Sequence, residues 1–158
     1  MTHDIFMKFD GINGESADAK HKGEIDVLSW SWGSTQPGSA QSGSGTGAGK
    51  IQVKDLTFTK ATCCATPVLL GMHFKGKPIK KAVLTIRKAG GNPLEYGKIT
   101  MENCIITGMD HSMGPEGHLE TVTVMFSTVK YEYTPQKADG SGAAVITSGF
   151  DVAGNQAM

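Results

Sequence analysis

The sequence predicts a mainly β protein, a β-barrel with one α-helix (about residues 62–75) and a long glycine-rich loop. Three observations carry this. Apolar and polar residues alternate with period two in most segments; Gly, Pro or Asn turn signals bound each segment; and three segments change apolar register midway, as strands that bend around a barrel do.

The first strand is expected over Asp4 to Phe9, before the Asp10-Gly11 and Asn13-Gly14 turn signals. A second, Glu24 to Gly33, places Leu28, Trp30 and Trp32 on one face, and a third runs from Lys50 to Thr59. Thr66-Pro67 opens the helix, because threonine caps a first turn and proline's missing N–H costs nothing there. Val68, Leu69, Met72 and His73 form its apolar stripe, which stops near Gly76 and is expected to plug one open end of the sheet. Ile79 to Lys88 is a strand with Ala82, Leu84 and Ile86 together, and the Gly90-Gly91-Asn92-Pro93 turn leads into Leu94 to His111. After Gly114-Pro115-Glu116-Gly117 comes His118 to Thr134; a last short strand lies within Val145 to Val152, and the C-terminal end, about 153–158, is expected to be flexible.

The register changes are specific. Ile25 and Val27 are odd while Leu28, Trp30 and Trp32 are even; Ile51 and Val53 give way to Leu56 and Phe58; Val122, Val124 and Phe126 give way to Val129, Tyr131 and Tyr133. At ~3.3 Å per residue the segment from His118 to Thr134 would run about 56 Å if straight, so it must bend or reach past its own domain. Strands buried on opposite faces in their two halves suggest a barrel with a covered outside, and a second copy is the simplest cover.

The 158 residues make one domain, 1–158, and 15 basic residues balance 15 acidic ones. Zero net charge removes the bulk attraction behind non-specific binding to nucleic acid or anionic membranes, and it also removes self-repulsion between copies. No apolar run approaches the roughly 20 residues of a membrane helix. Met1 to Lys8 shows no secretory signal, so the chain is expected to be made in the cytoplasm and to leave it, if at all, by another route. No further catalytic domain is expected after Met158.

Chemistry is sparse. Gly38 to Gly49 is not a phosphate loop: Ser44 stands where a Walker-type motif needs glycine, Ile51 where it needs Ser or Thr, and a strand follows instead of a helix N-terminus. About 12 residues is long for a hairpin connection, so an arm that orders on assembly is the sharper expectation. The histidines at 3, 21, 73, 111 and 118 form no catalytic motif. Asp110, His111, Met113 and His118 gather at one turn with donors for a soft metal, but they read as turn residues facing water. Cys63 and Cys64 are adjacent and read as reduced structural thiols, and Cys104 as a buried, unreactive one. No catalytic residue, cofactor or metal is expected.

The order of several motifs resembles the hemolysin-coregulated, or Hcp, family of the bacterial type VI secretion system. They are Asp4-Ile5-Phe6-Met7-Lys8, Gly14-Glu15-Ser16, Glu24 to Gly33, Gly47-Ala48-Gly49-Lys50, Asp55 to Lys60, Thr66-Pro67, Leu84 to Gly91 and Tyr133 to Gly140. The resemblance implies an antiparallel two-sheet β-barrel with a helix and an extended loop, in hexameric rings that stack into an inner tube inside a contractile sheath, capped by a VgrG-type spike trimer and fired from the cell on contraction, with small effector proteins carried in the ring lumen. By position it places Ser31 on the channel-lining strand. It assigns Gly38, Gly43, Gly45, Gly47 and Lys50 of the extended loop (about 37–50), and Arg87 and Gly90 of a ring-edge turn, to ring stacking and subunit contacts. Removing Ser39 to Gly47 is then expected to weaken stacking and spare the rings. The cysteine pair and the methionine-rich turn after Ile106 lie outside the pattern. A tube protein of a phage-like contractile particle shares the architecture, and a small-molecule-binding barrel, which would be monomeric, is the other alternative.

Overall fold

The computed structural model describes residues 3–37 and 50–158. Twelve strands and one helix follow in order: β1 (His3–Phe9), β2 (Ile25–Asp26), β3 (Ser29–Ser31), β4 (Ser34–Thr35), β5 (Gln52–Val53), β6 (Leu56–Ala61), α1 (Ala65–Lys75), β7 (Ile79–Lys88), β8 (Leu94–Gly114), β9 (Gly117–Met125), β10 (Thr128–Tyr133), β11 (Ile146–Asp151) and β12 (Gln156–Ala157). All pairings are antiparallel. One sheet has the order β12-β11-β10-β8-β7-β1-β2, and a second, β3-β6-β9, joins it through β8. The mainly β, two-sheet architecture with one helix is the predicted one.

The register changes have a different cause from the one expected. Val27 N–H donates to Ile5 O on β1, and Leu28 N–H donates to Thr59 O on β6, so the chain steps from one sheet to the other between adjacent residues. The predicted strand Glu24 to Gly33 is therefore two short ones, β2 and β3, and Leu28, expected beside the tryptophans, is half exposed at the corner. Likewise His118 to Thr134 divides at Phe126–Ser127: β9 pairs with β6 and the end of β8, whereas β10 pairs with the start of β8. At such a corner both halves face the same interior, so the switches call for no cover outside the barrel.

β8 makes the turn without breaking. Its 21 residues would span about 70 Å if straight. Pairing with β7 ends at Cys104 and pairing with β9 begins at Ile105, next to Asn103, whose φ of 52° is the left-handed conformation that asparagine tolerates. A register shift between Ile106 and Gly108 bends it further.

The core between the sheets is built from Met7, Phe9, Leu56, Phe58, Leu84, Ile99, Met101, Ile106, Val122 and Val124, joined by Leu69 of α1. The helix starts at Ala65, between the outer bound near 62 and the Thr66-Pro67 signal, and ends at Gly76 (φ 60°), where Lys77 N–H bonds back to Met72 O. Its inner face is Ala65, Thr66, Leu69, Met72 and His73; Val68, expected in the stripe, falls beside that face and is about half exposed. His73 Nδ1 donates to Ile106 O at 2.7 Å, fixing α1 on β8. Thr66 does not cap the helix as predicted. Glu15 does so from across the chain, accepting from Cys64 N–H at 2.6 Å where a carboxylate suits the helix dipole.

The C-terminal end, expected to be flexible, is tied back: β12 pairs with β11 and Met158 N–H donates to Gly149 O. No helix among the described residues is long and apolar enough to cross a membrane.

Candidate functional face

Alternation along β3, β6 and β9 puts Trp30, Phe58 and Val122 inward, so the residues between them point away from the core. Those residues are hydroxylic. Ser29 faces Thr59, which faces Thr121; Ser31 faces Thr57, which faces Thr123. β8 continues the two rows with Asp110 and Gly108. Six small hydroxyls thus tile one sheet face around Ser31, which is exposed. Thr57 and Thr123 hydroxyls lie 3.5 Å apart, and Thr107 Oγ1 donates to Asp55 Oδ2 at 3.0 Å at the rim. Such a face satisfies its polar groups with water and neighbours and presents little apolar area. The period-two threonines at 57 and 59 and at 121 and 123 carried this signal in the sequence, but only Ser31 was singled out.

Beside this face stands the β4–β5 stem, pinned by Ser34 opposite Val53, by Lys54 N–H on Gly33 O and by Trp32 Nε1–H on Lys54 O at 2.9 Å. A polar cleft of about 330 Å³ lined by Ser31, Gly33, Asp55 and Thr57 lies at its foot. Lys50 is exposed just before β5. Gly38, Gly43, Gly45 and Gly47 lie outside the described residues.

Arg87 and Gly90 sit at another end. Gly90 has φ 124°, open to glycine alone, in an exposed turn between β7 and β8. The Arg87 guanidinium is engaged within the chain: Nη2 donates to Asp4 Oδ2 at 2.9 Å and to Asp18 Oδ1 at 2.7 Å, Nη1 donates to Asp18 Oδ2 at 3.0 Å, and the group lies over the Phe6 ring. His21, stacked on the other residues of this corner through Phe6, bridges Glu24 (2.9 Å) and Glu95 (2.8 Å). These groups hold the 13–24 segment against β1, β7 and β8. That segment makes a tight backbone approach at Gly14, whose N–H donates to Gly23 O at 2.7 Å and where a Cβ would strike the Glu24 carbonyl.

Comparisons with known proteins agree with the motif order. A family model described as "Type VI secretion system effector, Hcp" matches residues 6–133. The chain belongs to the Hcp family. It is 46% identical over 144 residues to Protein hcp1 of Pseudomonas aeruginosa, covering 89% of each chain. Its fold matches the crystal structure of Hcp1 from Salmonella typhimurium with a TM-score of 0.84 and 41% identity over the whole of both chains. It also matches a type VI secretion system effector from Yersinia pestis, with a TM-score of 0.79 and 35% identity over 94% of this chain and all of that one. As an Hcp protein it is a component of type VI secretion.

Beneath the hydroxyl face lies a polar knot that the sequence reading passed over. Lys60 on β6 and Glu120 on β9 are cross-strand partners, both completely buried, with Nζ and Oε1 2.7 Å apart. Thr66 Oγ1 donates to the Glu120 carboxylate at 2.7–2.9 Å and accepts from Lys60 Nζ at 3.0 Å and from Cys63 N–H at 3.1 Å. Burial alone would raise the Glu120 pKa, but hydrogen bonds from Lys60, Thr66 and Thr62 outweigh it and the net shift is downward. Cys104 is buried as expected, and that burial pushes its thiol up to about 12.

Proposed function

We propose that this chain builds the inner tube of a type VI secretion system: six copies close into a ring, rings stack within the contractile sheath beneath the VgrG-type spike, and the hydroxyl face of β3, β6 and β9 lines the channel. The observation that carries this reading is the six-hydroxyl face around Ser31. A conduit must touch small effector proteins without holding them fast, and a surface dominated by short hydroxyls offers hydrogen bonds that water can replace, with no apolar anchor. Membership of the Hcp family supports it.

Exposed apolar residues support ring closure. Tyr133, Val145 and Ile146 lie at or beside the β10–β11 end of the long sheet, and Leu28 lies at the β2 end. An apolar cluster at one end and a different apolar residue at the other suit head-to-tail contacts that close into a ring. The extended loop contacts the next ring in this reading, where six weak contacts act together. The Arg87 cluster then holds the ring-edge turn from within the subunit and leaves Gly90 at the edge.

Replacing Ser31 with glutamine tests the lining assignment. Rings of unchanged size with diminished co-purification of an effector are expected; undiminished co-purification with intact rings contradicts the role of this face.

A further inference from the structure

The hairpin that ends β8 and begins β9 carries a cluster that the tube function does not use. Its register pairs His111 with Glu120 and Met113 with His118, so these four side chains share one face of the ribbon. The donor atoms of His111, His118 and Glu120 all lie within 4.8 Å of one another. His111 Nδ1 is 3.8 Å from Glu120 Oε2, too far for a hydrogen bond between them. The two imidazole rings, 5.8 Å apart and inclined by 60°, do not stack face to face.

We propose that His111, His118 and Glu120 form a binding site for a divalent late first-row transition ion of the zinc type. Two imidazoles and one carboxylate are a donor set that such an ion takes readily, with an open fourth position. Donors sharing a tetrahedral ion at ~2.0–2.2 Å sit about 3.3–3.5 Å from one another, so the His111–Glu120 gap need close by only a few tenths of an ångström. The two histidines supply that movement, because His111 is exposed and His118 partly so. Glu120 needs none. Lys60 Nζ and the Thr66 hydroxyl hold its carboxylate from behind, the outer hydrogen bonding that fixes a ligating carboxylate in metal sites. The Lys60 charge weakens cation binding, which sets the site apart from a tight, permanently filled one. Met113, paired with His118 in the ribbon register, lies on the same face and is exposed; water fills the open fourth position in the zinc form. Bound there, the ion clamps the hairpin tip to the buried knot and so to the start of α1.

Calorimetric titration of tag-free protein with zinc chloride tests the proposal. One ion per chain is expected, with His111→Ala and His118→Ala each weakening binding by at least about tenfold and the double variant abolishing it. Zinc should also raise the melting temperature of the parent protein and not that of the double variant, whose melting temperature without zinc should match the parent. Absence of binding by the parent protein at millimolar zinc, or binding and thermal stabilisation undiminished in the folded double variant, would overturn it.

Discussion

Two ionic clusters hold this barrel, and they differ in burial. Lys60 and Glu120 are sealed inside, with Thr66 completing their hydrogen bonds. Arg87, Asp4 and Asp18, with His21, Glu24 and Glu95 beside them, lie at a partly open corner: Asp4 and Glu95 side chains are about 40% exposed. The first joins two strands and the helix start, whereas the second straps a loop to the sheet. Buried charges gain full Coulomb attraction and suffer full desolvation, so such a pair is costly to break and worth little to keep, while the open corner is screened by water.

The largest effect should therefore follow from splitting the buried pair. Glu120→Gln or Lys60→Met strands one buried charge and is expected to cost about 3–5 kcal/mol in urea unfolding at fixed protein concentration. Lys60→Met combined with Glu120→Leu should cost less than either change alone. A double variant whose loss equals the sum of the two would remove the contrast between the clusters.

Arg87→Ala should cost less, about 1–2 kcal/mol, because solvent takes over part of what the guanidinium supplied. A loss as large as that of Glu120→Gln would show the open corner to be as dry as the interior.

The smallest effects are those of pH, and they have opposite signs within one corner. Hydrogen bonds from Arg87 hold the Asp18 carboxyl down to about 2, so its contribution is present above about pH 4 and fades as pH falls toward 2. Burial pushes the His21 pKa down, but hydrogen bonds to Glu95 and Glu24 outweigh it and the net shift is upward. Its contribution is full below about pH 6.5 and is lost as pH rises through the higher folded value. The urea midpoint should decline on both sides of this window; His21→Gln should flatten the alkaline side, and Asp18→Asn should soften the acid side only in part, because Glu120 also titrates there. An unchanged alkaline side in His21→Gln would separate His21 from the corner's stability.

The same contrast governs what could be read from the sequence. The strands His3–Phe9 and Ile79–Lys88 were legible from alternation, although Phe6 and Met7 are both buried and Ile79 is out of phase with Ala82, Leu84 and Ile86. The register slips at Val27–Leu28 and Phe126–Ser127 were legible too, but not their cause. A change of sheet and a change of covering look alike until strand partners are known. Val68 was misplaced because a short helix tolerates two stripes, and packing against β8 selects the one containing Ala65 and Thr66. Ser31 was found through resemblance, and its threonine partners were visible as alternation on β6 and β9. Glu120 shares even register with Val122 and Val124, and Lys60 with Leu56 and Phe58, so each looked like a polar intruder in a buried row. Only the antiparallel register of β6 and β9 brings the two together across 60 residues of chain.

Imaging the purified, tag-free protein by negative-stain electron microscopy, with its mass measured in the same buffer, tests the central claim most directly. Six-membered rings of about 100 kDa, six copies of a 16.7 kDa chain, are the predicted result; isolated particles of single-chain mass at every concentration would contradict it.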